Sequence, residues 1–196
     1  MRVFVAVGVG DELRRAAIAV RRSVESQFSA LAIEPPRLIW VVPSSLHVTL
    51  RFVGEWPDER GGALAAALGN PFDVAPFTLA WHGLGAFPST RRPRAIWMGV
   101  ARGARGLGAL EAEVARRMGS LVPGEDPAAA APFHPHVTIA RVKVDNPKVD
   151  WPATLAAASP ADVITRVERV SLMRSRGLAG GEGYEELAGG WLVGRS

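Results

Sequence analysis

Two four-residue runs in this sequence share one pattern: His47-Val48-Thr49-Leu50 and His136-Val137-Thr138-Ile139. Each reads histidine, apolar residue, threonine, apolar residue. In an extended strand, residues i and i+2 project from the same face. His47 and Thr49 then share one face, while Val48 and Leu50 take the other, where burial can anchor the strand. The same division separates His136 and Thr138 from Val137 and Ile139. Two such strands lying within about 5–10 Å of each other would set two imidazoles and two hydroxyls around a volume the size of a phosphate.

Imidazole titrates near neutrality, so one ring can take a proton while the other supplies one. Threonine hydroxyls can donate to phosphate oxygens on which charge accumulates. The matching chemistry is attack on phosphorus with in-line departure of an alkoxide, and a strained cyclic phosphodiester suits it. Other chemistries find less support. Cysteine is absent, which removes thiolate nucleophiles, thiolate metal sites and disulfides. His134-Pro135-His136 offers two histidines two apart without a clear carboxylate third ligand, a poor zinc set, so neither a metal nor a cofactor is expected. Ser44-Ser45 has no companion triad, and His82, at the end of a strand, is not read as catalytic.

The elements that must hold these residues follow from periodicity and turn signals. Residues 2–9 alternate and are β-branched, a strand pattern. Asp11 is a cap candidate for a helix over about 12–28. The run 33–38, with paired prolines, reads as loop, and 39–42 as a short apolar run. Residues 46–54 read as the strand of the first motif. Asp58 is a cap candidate for a second helix to about 68. Strands are expected at 77–82 and 95–101 with a loop at 85–94 between them, a third helix at about 105–119, an Ala/Pro-rich loop at 123–132, the second motif's strand at 133–142, and a further strand at 166–175. The last apolar run is 184–193. Strands arrive singly and in pairs with few βαβ crossovers, so the expected class is α+β rather than a doubly wound sheet. The repeated motif predicts two pseudo-symmetric lobes, each an antiparallel sheet with outer helices, around a central groove, within one domain over residues 1–196.

The chain has 196 residues, 48% hydrophobic and 21% charged, with a formal net charge of +4. This is enough to bury a core without staples. Lys143 and Lys148 are the sole lysines, so the positive excess is arginine. Mild basicity suits a polyanionic partner, although a GC-rich genome produces the same bias. No apolar run is long enough to span a membrane and no signal-peptide h-region is present. A cytoplasmic protein is expected.

The two motifs in context resemble those of the 2H phosphoesterases, and within them the RNA 2′,3′-cyclic phosphodiesterase family, also named 2′-5′ RNA ligase. The resemblance runs over nearly the whole chain: RVFVAV at the start, SSLHVTLRFVGE around the first motif, RAIWMGV, PFHPHVTIAR around the second, and VERVSLMRS followed by Tyr184. It implies the two-lobed fold with both motifs in the groove and metal-independent hydrolysis of a terminal 2′,3′-cyclic phosphate to a 2′-phosphate. Some members also join RNA ends by 2′-5′ ligation. The implied partner is an RNA with such a terminus, tRNA fragments among the candidates, and a monomer is expected.

The resemblance assigns His47 as proton donor to the leaving oxygen and His136 as the base, with Thr49 and Thr138 holding the phosphate. The pseudo-symmetry of the motifs gives no reason of its own to choose between the two histidines. Arg141 matches the family's arginine after the second motif, and guanidinium geometry suits phosphate. Strict alternation, however, puts Arg141 on the face opposite His136, so it needs a twist, a bulge or a strand end to reach the groove. Arg51 has the parity of His47 and Thr49 and is a second candidate for phosphate contact. Trp40 and Phe133 flank the motifs and could stack on a base or belong to the core. Arg91, Arg92 and Arg94 could line an RNA path or be a solvated loop. Two other functions stay open: a phosphodiesterase acting on a small cyclic nucleotide or ADP-ribose cyclic phosphate, and a non-enzymatic nucleotide- or RNA-binding module.

Overall fold

The computed structural model describes residues 1–31, 33–119, 121, 133–176 and 183–194. Along the chain run β1 (Arg2–Gly8), α1 (Asp11–Ser29), β2 (Arg37–Trp40), β3 (His47–Glu55), α2 (Gly61–Gly69), β4 (Phe77–Ser89) and β5 (Arg92–Arg102). Then follow α3 (Ala104–Met118), β6 (His136–Val144), α4 (Trp151–Ala158), β7 (Val163–Val167), β8 (Arg169–Ser175) and β9 (Tyr184–Trp191). The strands form two sheets, ordered β3-β1-β8-β9 and β2-β6-β5-β4-β7. Every pairing within them is antiparallel. The α+β expectation holds.

Helix packing follows the apolar spacing. In α1 the buried residues are Leu13, Ala17, Val20, Val24 and Phe28, a single stripe at helical period. In α3 they are Leu107, Leu110, Val114 and Met118. Helices α1 and α4 pack on the five-stranded sheet, and α2 and α3 on the four-stranded one. One continuous cluster of buried apolar side chains joins both layers. Within it Trp81 is fully buried and its Nε1 donates to Thr165 Oγ1 at 2.8 Å.

Several expectations differ from what the fold does. The loop at 85–94 is the closed end of one long hairpin, because β4 continues to Ser89 and β5 starts at Arg92. Pro88 and Pro93 sit opposite each other there. The strand at 166–175 is two strands in different sheets, β7 pairing with β4 and β8 with β1, with Glu168 between them. Hydrophobic alternation looks the same on either side of that switch, so the sequence gives no mark of it. The proline-containing stretch before it hides α4, whose cap is Asp150, accepting from Ala153 N at 3.0 Å. Strand β2 begins inside the expected loop 33–38. Asp11 is the first residue of α1 rather than its cap, where its charge suits the positive helix end. The loop at 123–132 lies outside the described residues. Among the described residues, no helix is long and apolar enough to cross a membrane.

Candidate active site

The register of β3 against β1 fixes which way the first motif points. Gly8 stands opposite His47, Val7 opposite Val48 and Ala6 opposite Thr49. The next pair is Val5 with Arg51, so Leu50 is an extra residue in β3, a bulge. Side chains that alternate up to the bulge change face beyond it. Arg51 therefore shares the face of fully buried Val5 rather than that of His47. Its guanidinium reaches Glu111 of α3, Nη1 to Oε1 at 2.9 Å. Phe52, opposite Phe4, takes the place on the histidine face that strict alternation gave to Arg51.

The second motif repeats this arrangement in the other sheet. Gly99 stands opposite His136 and Trp97 opposite Thr138, but the next pair is Ile96 with Ala140. Ile139 is the extra residue, and its carbonyl accepts from Val41 N at 2.9 Å. Arg141, opposite Ala95, is thereby turned onto the face of His136 and Thr138. Of the three routes open to Arg141, the bulge is the one used. Both bulges fall on the fourth residue of the motif, so the pseudo-repeat extends from residue types to backbone geometry.

The two faces meet over a cavity of about 500 Å³. His47, Thr49 and Arg51 line it from β3, and His136, Thr138 and Arg141 from β6. Phe133 and His134, just before β6, complete that side, and Tyr184 and Ser175 come from β9 and β8. Trp40 is not part of the lining. It stands opposite Ala140, on the helix side of β2, and borders two other cavities against α1, of about 600 and 300 Å³. Trp40 is thus placed away from the histidines rather than beside them; Arg51 still borders the cavity, but the bulge at Leu50 takes it off the parity of His47 and its guanidinium pairs with Glu111.

Each histidine is held in the same way. His47 Nδ1 lies 2.8 Å from the carbonyl of Ser45, and His136 Nδ1 lies 2.7 Å from the carbonyl of His134. A carbonyl can only accept, so Nδ1 carries the hydrogen in both rings and Nε2 is the atom that gains or loses a proton. Aromatic rings close around each imidazole. Phe4 lies 4.9 Å from His47, and Tyr184 meets it edge-on at 5.1 Å. Phe87 meets His136 edge-on at 5.0 Å, with Trp97 at 6.1 Å and His134 at 5.9 Å. Burial depresses the His136 pKa below 6.5; the bond to the His134 carbonyl opposes this, and the nearby His134 ring adds to it.

The aromatic shell was not visible from the motifs. One clue was present: Gly85, opposite Trp97 on β4, and Gly99, two residues along β5, lie beside the Trp97 ring, and a Cβ on Gly85 would collide with the indole. A glycine inside a strand often marks such a close approach. Among the described residues, no three His, Cys, Asp or Glu side chains converge as a metal-binding group.

The arrangement can pass one proton in and one out across a bound anion, with hydroxyls and a guanidinium beside it. Comparison with known proteins places the chain in a family. The model of the 2′-5′ RNA ligase superfamily matches residues 6–178. The chain belongs to this superfamily. The RNA 2′,3′-cyclic phosphodiesterase of Thermus thermophilus is 31% identical over 206 residues, covering 96% of each chain. That of Aquifex aeolicus is 37% identical over 108 residues, and the match spans 53% of this chain and 55% of the relative. Among solved structures, Escherichia coli LigT complexed with 3′-AMP superposes with a TM-score of 0.68 at 25% identity, covering 98% of each chain.

Proposed function

We propose that this superfamily member hydrolyses the 2′,3′-cyclic phosphate at an RNA 3′ end to a 2′-phosphate, with His47 and His136 as an acid–base pair. One observation carries the proposal: both histidines, from different sheets and with Nδ1 tied to a carbonyl two residues back, line a single cavity.

In this mechanism His136 Nε2 takes a proton from water as the oxygen attacks phosphorus. The bond from phosphorus to the 3′ oxygen breaks, and His47 Nε2 gives that oxygen its proton. The products are a free 3′-hydroxyl and a 2′-phosphate monoester. The direction rests on the family likeness, and the depressed His136 pKa supports it. A ring that stays neutral near pH 7 is ready to accept a proton. Thr49, Thr138 and Arg141 would hold the non-bridging oxygens, where charge grows in the transition state. The same step with a 5′-hydroxyl in place of water would form a 2′-5′ linkage.

The test is incubation with an oligonucleotide ending in a 2′,3′-cyclic phosphate, followed by identification of the product isomer. A 2′-phosphate product supports the proposal. A 3′-phosphate product, or an uncleaved ring, overturns it. A panel including small cyclic nucleotides and ADP-ribose cyclic phosphate, compared by kcat/KM, separates an RNA substrate from a small one.

A further inference from the structure

The β4–β5 hairpin extends the histidine-bearing face well beyond the cavity. Phe87 pairs with Ala95, and Ala95 with Arg141, so these residues lie in a row on the His136 face. Toward the tip the register slips. Pro88 pairs with Pro93 and Ser89 with Arg92, which leaves Arg94 as an extra residue. Ser89, two residues on from Phe87, keeps its face, and the slip brings Arg92, opposite Ser89, onto that face as well. Without it, Arg92 would point to the helix side. Arg91, Arg92 and Arg94 are all exposed, and none has a carboxylate partner among the described residues.

No Asp or Glu occurs anywhere in residues 77–102 or 136–144, so neither the hairpin nor β6 contributes an opposing charge. From Gly99, opposite His136, to Arg92 the strand covers roughly 20 Å at about 3.3 Å per residue. Along that length the face presents Trp97 and Phe87 first and the arginines last. Phe87 is 36% exposed. Aromatic faces followed by exposed guanidinium groups match what single-stranded nucleic acid needs, stacking for bases and cations for phosphates.

We propose that the arginine tip of this hairpin binds the backbone phosphates of the RNA strand on the 5′ side of its cyclic-phosphate end. The inference rests on the RNA-end reading above and adds a second contact region to it. Arg92 faces the strand path by register, and Arg91 and Arg94 flank it. Trp97 and Phe87 touch the His136 side and stay outside the test.

The experiment compares the triple variant Arg91→Ala/Arg92→Ala/Arg94→Ala with wild type and with a control of equal charge change, Arg15→Ala/Arg21→Ala/Arg22→Ala, on α1. Two substrates are used: a 2′,3′-cyclic mononucleotide and a single-stranded oligonucleotide with the same terminus. Fluorescence anisotropy reads binding of a 2′-phosphate oligonucleotide directly. A salt slope of about 0.7 per single-strand phosphate corresponds to roughly 5-fold in affinity at 0.1 M salt for each contact. Loss of two contacts is expected to raise the oligonucleotide Kd about 25-fold and to lower the slope by about 1.4. The mononucleotide kcat/KM stays within about 2-fold of wild type, and the control resembles wild type on both substrates. Unchanged oligonucleotide affinity overturns the proposal, as does an equal loss in the control variant or on the mononucleotide. If wild type cleaves neither substrate, the catalytic reading falls, and the anisotropy comparison still decides the hairpin's role.

Discussion

Two arginines follow the motifs, and the bulges assign them to opposite faces; exchanging each for alanine tests that assignment. Arg141 shares the face of His136 and lines the cavity. If its guanidinium holds a phosphate, Arg141→Ala removes a charge-assisted hydrogen bond of about 1.5–3 kcal/mol. That amounts to roughly a 10- to 150-fold loss in kcat/KM. Arg141→Lys keeps the charge but loses the fork and is expected to restore part of the activity. Arg51 faces α3 and pairs with Glu111, the two side chains being 15% and 24% exposed. Its removal leaves a carboxylate partly buried, intermediate between an exposed pair and a buried one, about 1–2 kcal/mol. For a chain of this length each kcal/mol moves Tm by about 2–4 °C. Arg51→Ala is therefore expected to melt about 2–8 °C lower while kcat/KM stays within about 3-fold of wild type. Initial rates on the cyclic-phosphate oligonucleotide and thermal melts by circular dichroism give both readings on the same preparations. The reasoning is refuted if the pattern reverses, with Arg51→Ala costing activity at unchanged Tm and Arg141→Ala costing only stability.

His47→Ala and His136→Ala are each expected to lower kcat by about 10²–10⁴-fold with near-native circular dichroism, and full turnover by either variant removes the acid–base pair. His134→Asn keeps the backbone carbonyl but removes the neighbouring ring charge that lowers the His136 pKa, so the acidic limb of the rate profile is expected to move to higher pH; a shift downward contradicts this. The same depressed pKa has a stability consequence. The folded state binds fewer protons at His136 than the unfolded state, so its contribution is full above about pH 6.5 and declines as pH falls through the window below it, measurable by comparing denaturant midpoints of wild type and His136→Ala. Gly85→Ala puts a methyl group into the Trp97 ring and is expected to cost about 1–3 kcal/mol, and an unchanged melt would mean the indole does not depend on that glycine.

Much of the site was legible because strand alternation is a local property. His47 with Thr49, and His136 with Thr138, share faces since their separation is two residues, and no partner strand is needed to know it. Val48, Leu50, Val137 and Ile139 are buried for the same reason. The amphipathic stripes of α1 and α3 were equally local. Glycines and prolines were read less well. Pro88 and Pro93 suggested a loop but face each other across a hairpin, and Gly85, at the start of that expected loop, leaves room for the Trp97 ring.

By itself the sequence determined which residues are the candidates for chemistry: two imidazoles, two hydroxyls and a nearby arginine, each on a strand with an apolar back. Tertiary structure decided where the alternation breaks. A bulge exists only relative to a partner strand, so the extra residues at Leu50 and Ile139 could not be seen in either motif alone. Those two residues turn Arg141 toward the histidines and Arg51 toward Glu111. The switch of sheet between β7 and β8, the aromatic rings around each imidazole and the burial that lowers the His136 pKa likewise depend on segments far apart in the chain. Residue types fix what a side chain can do, and long-range pairing fixes what it faces while doing it.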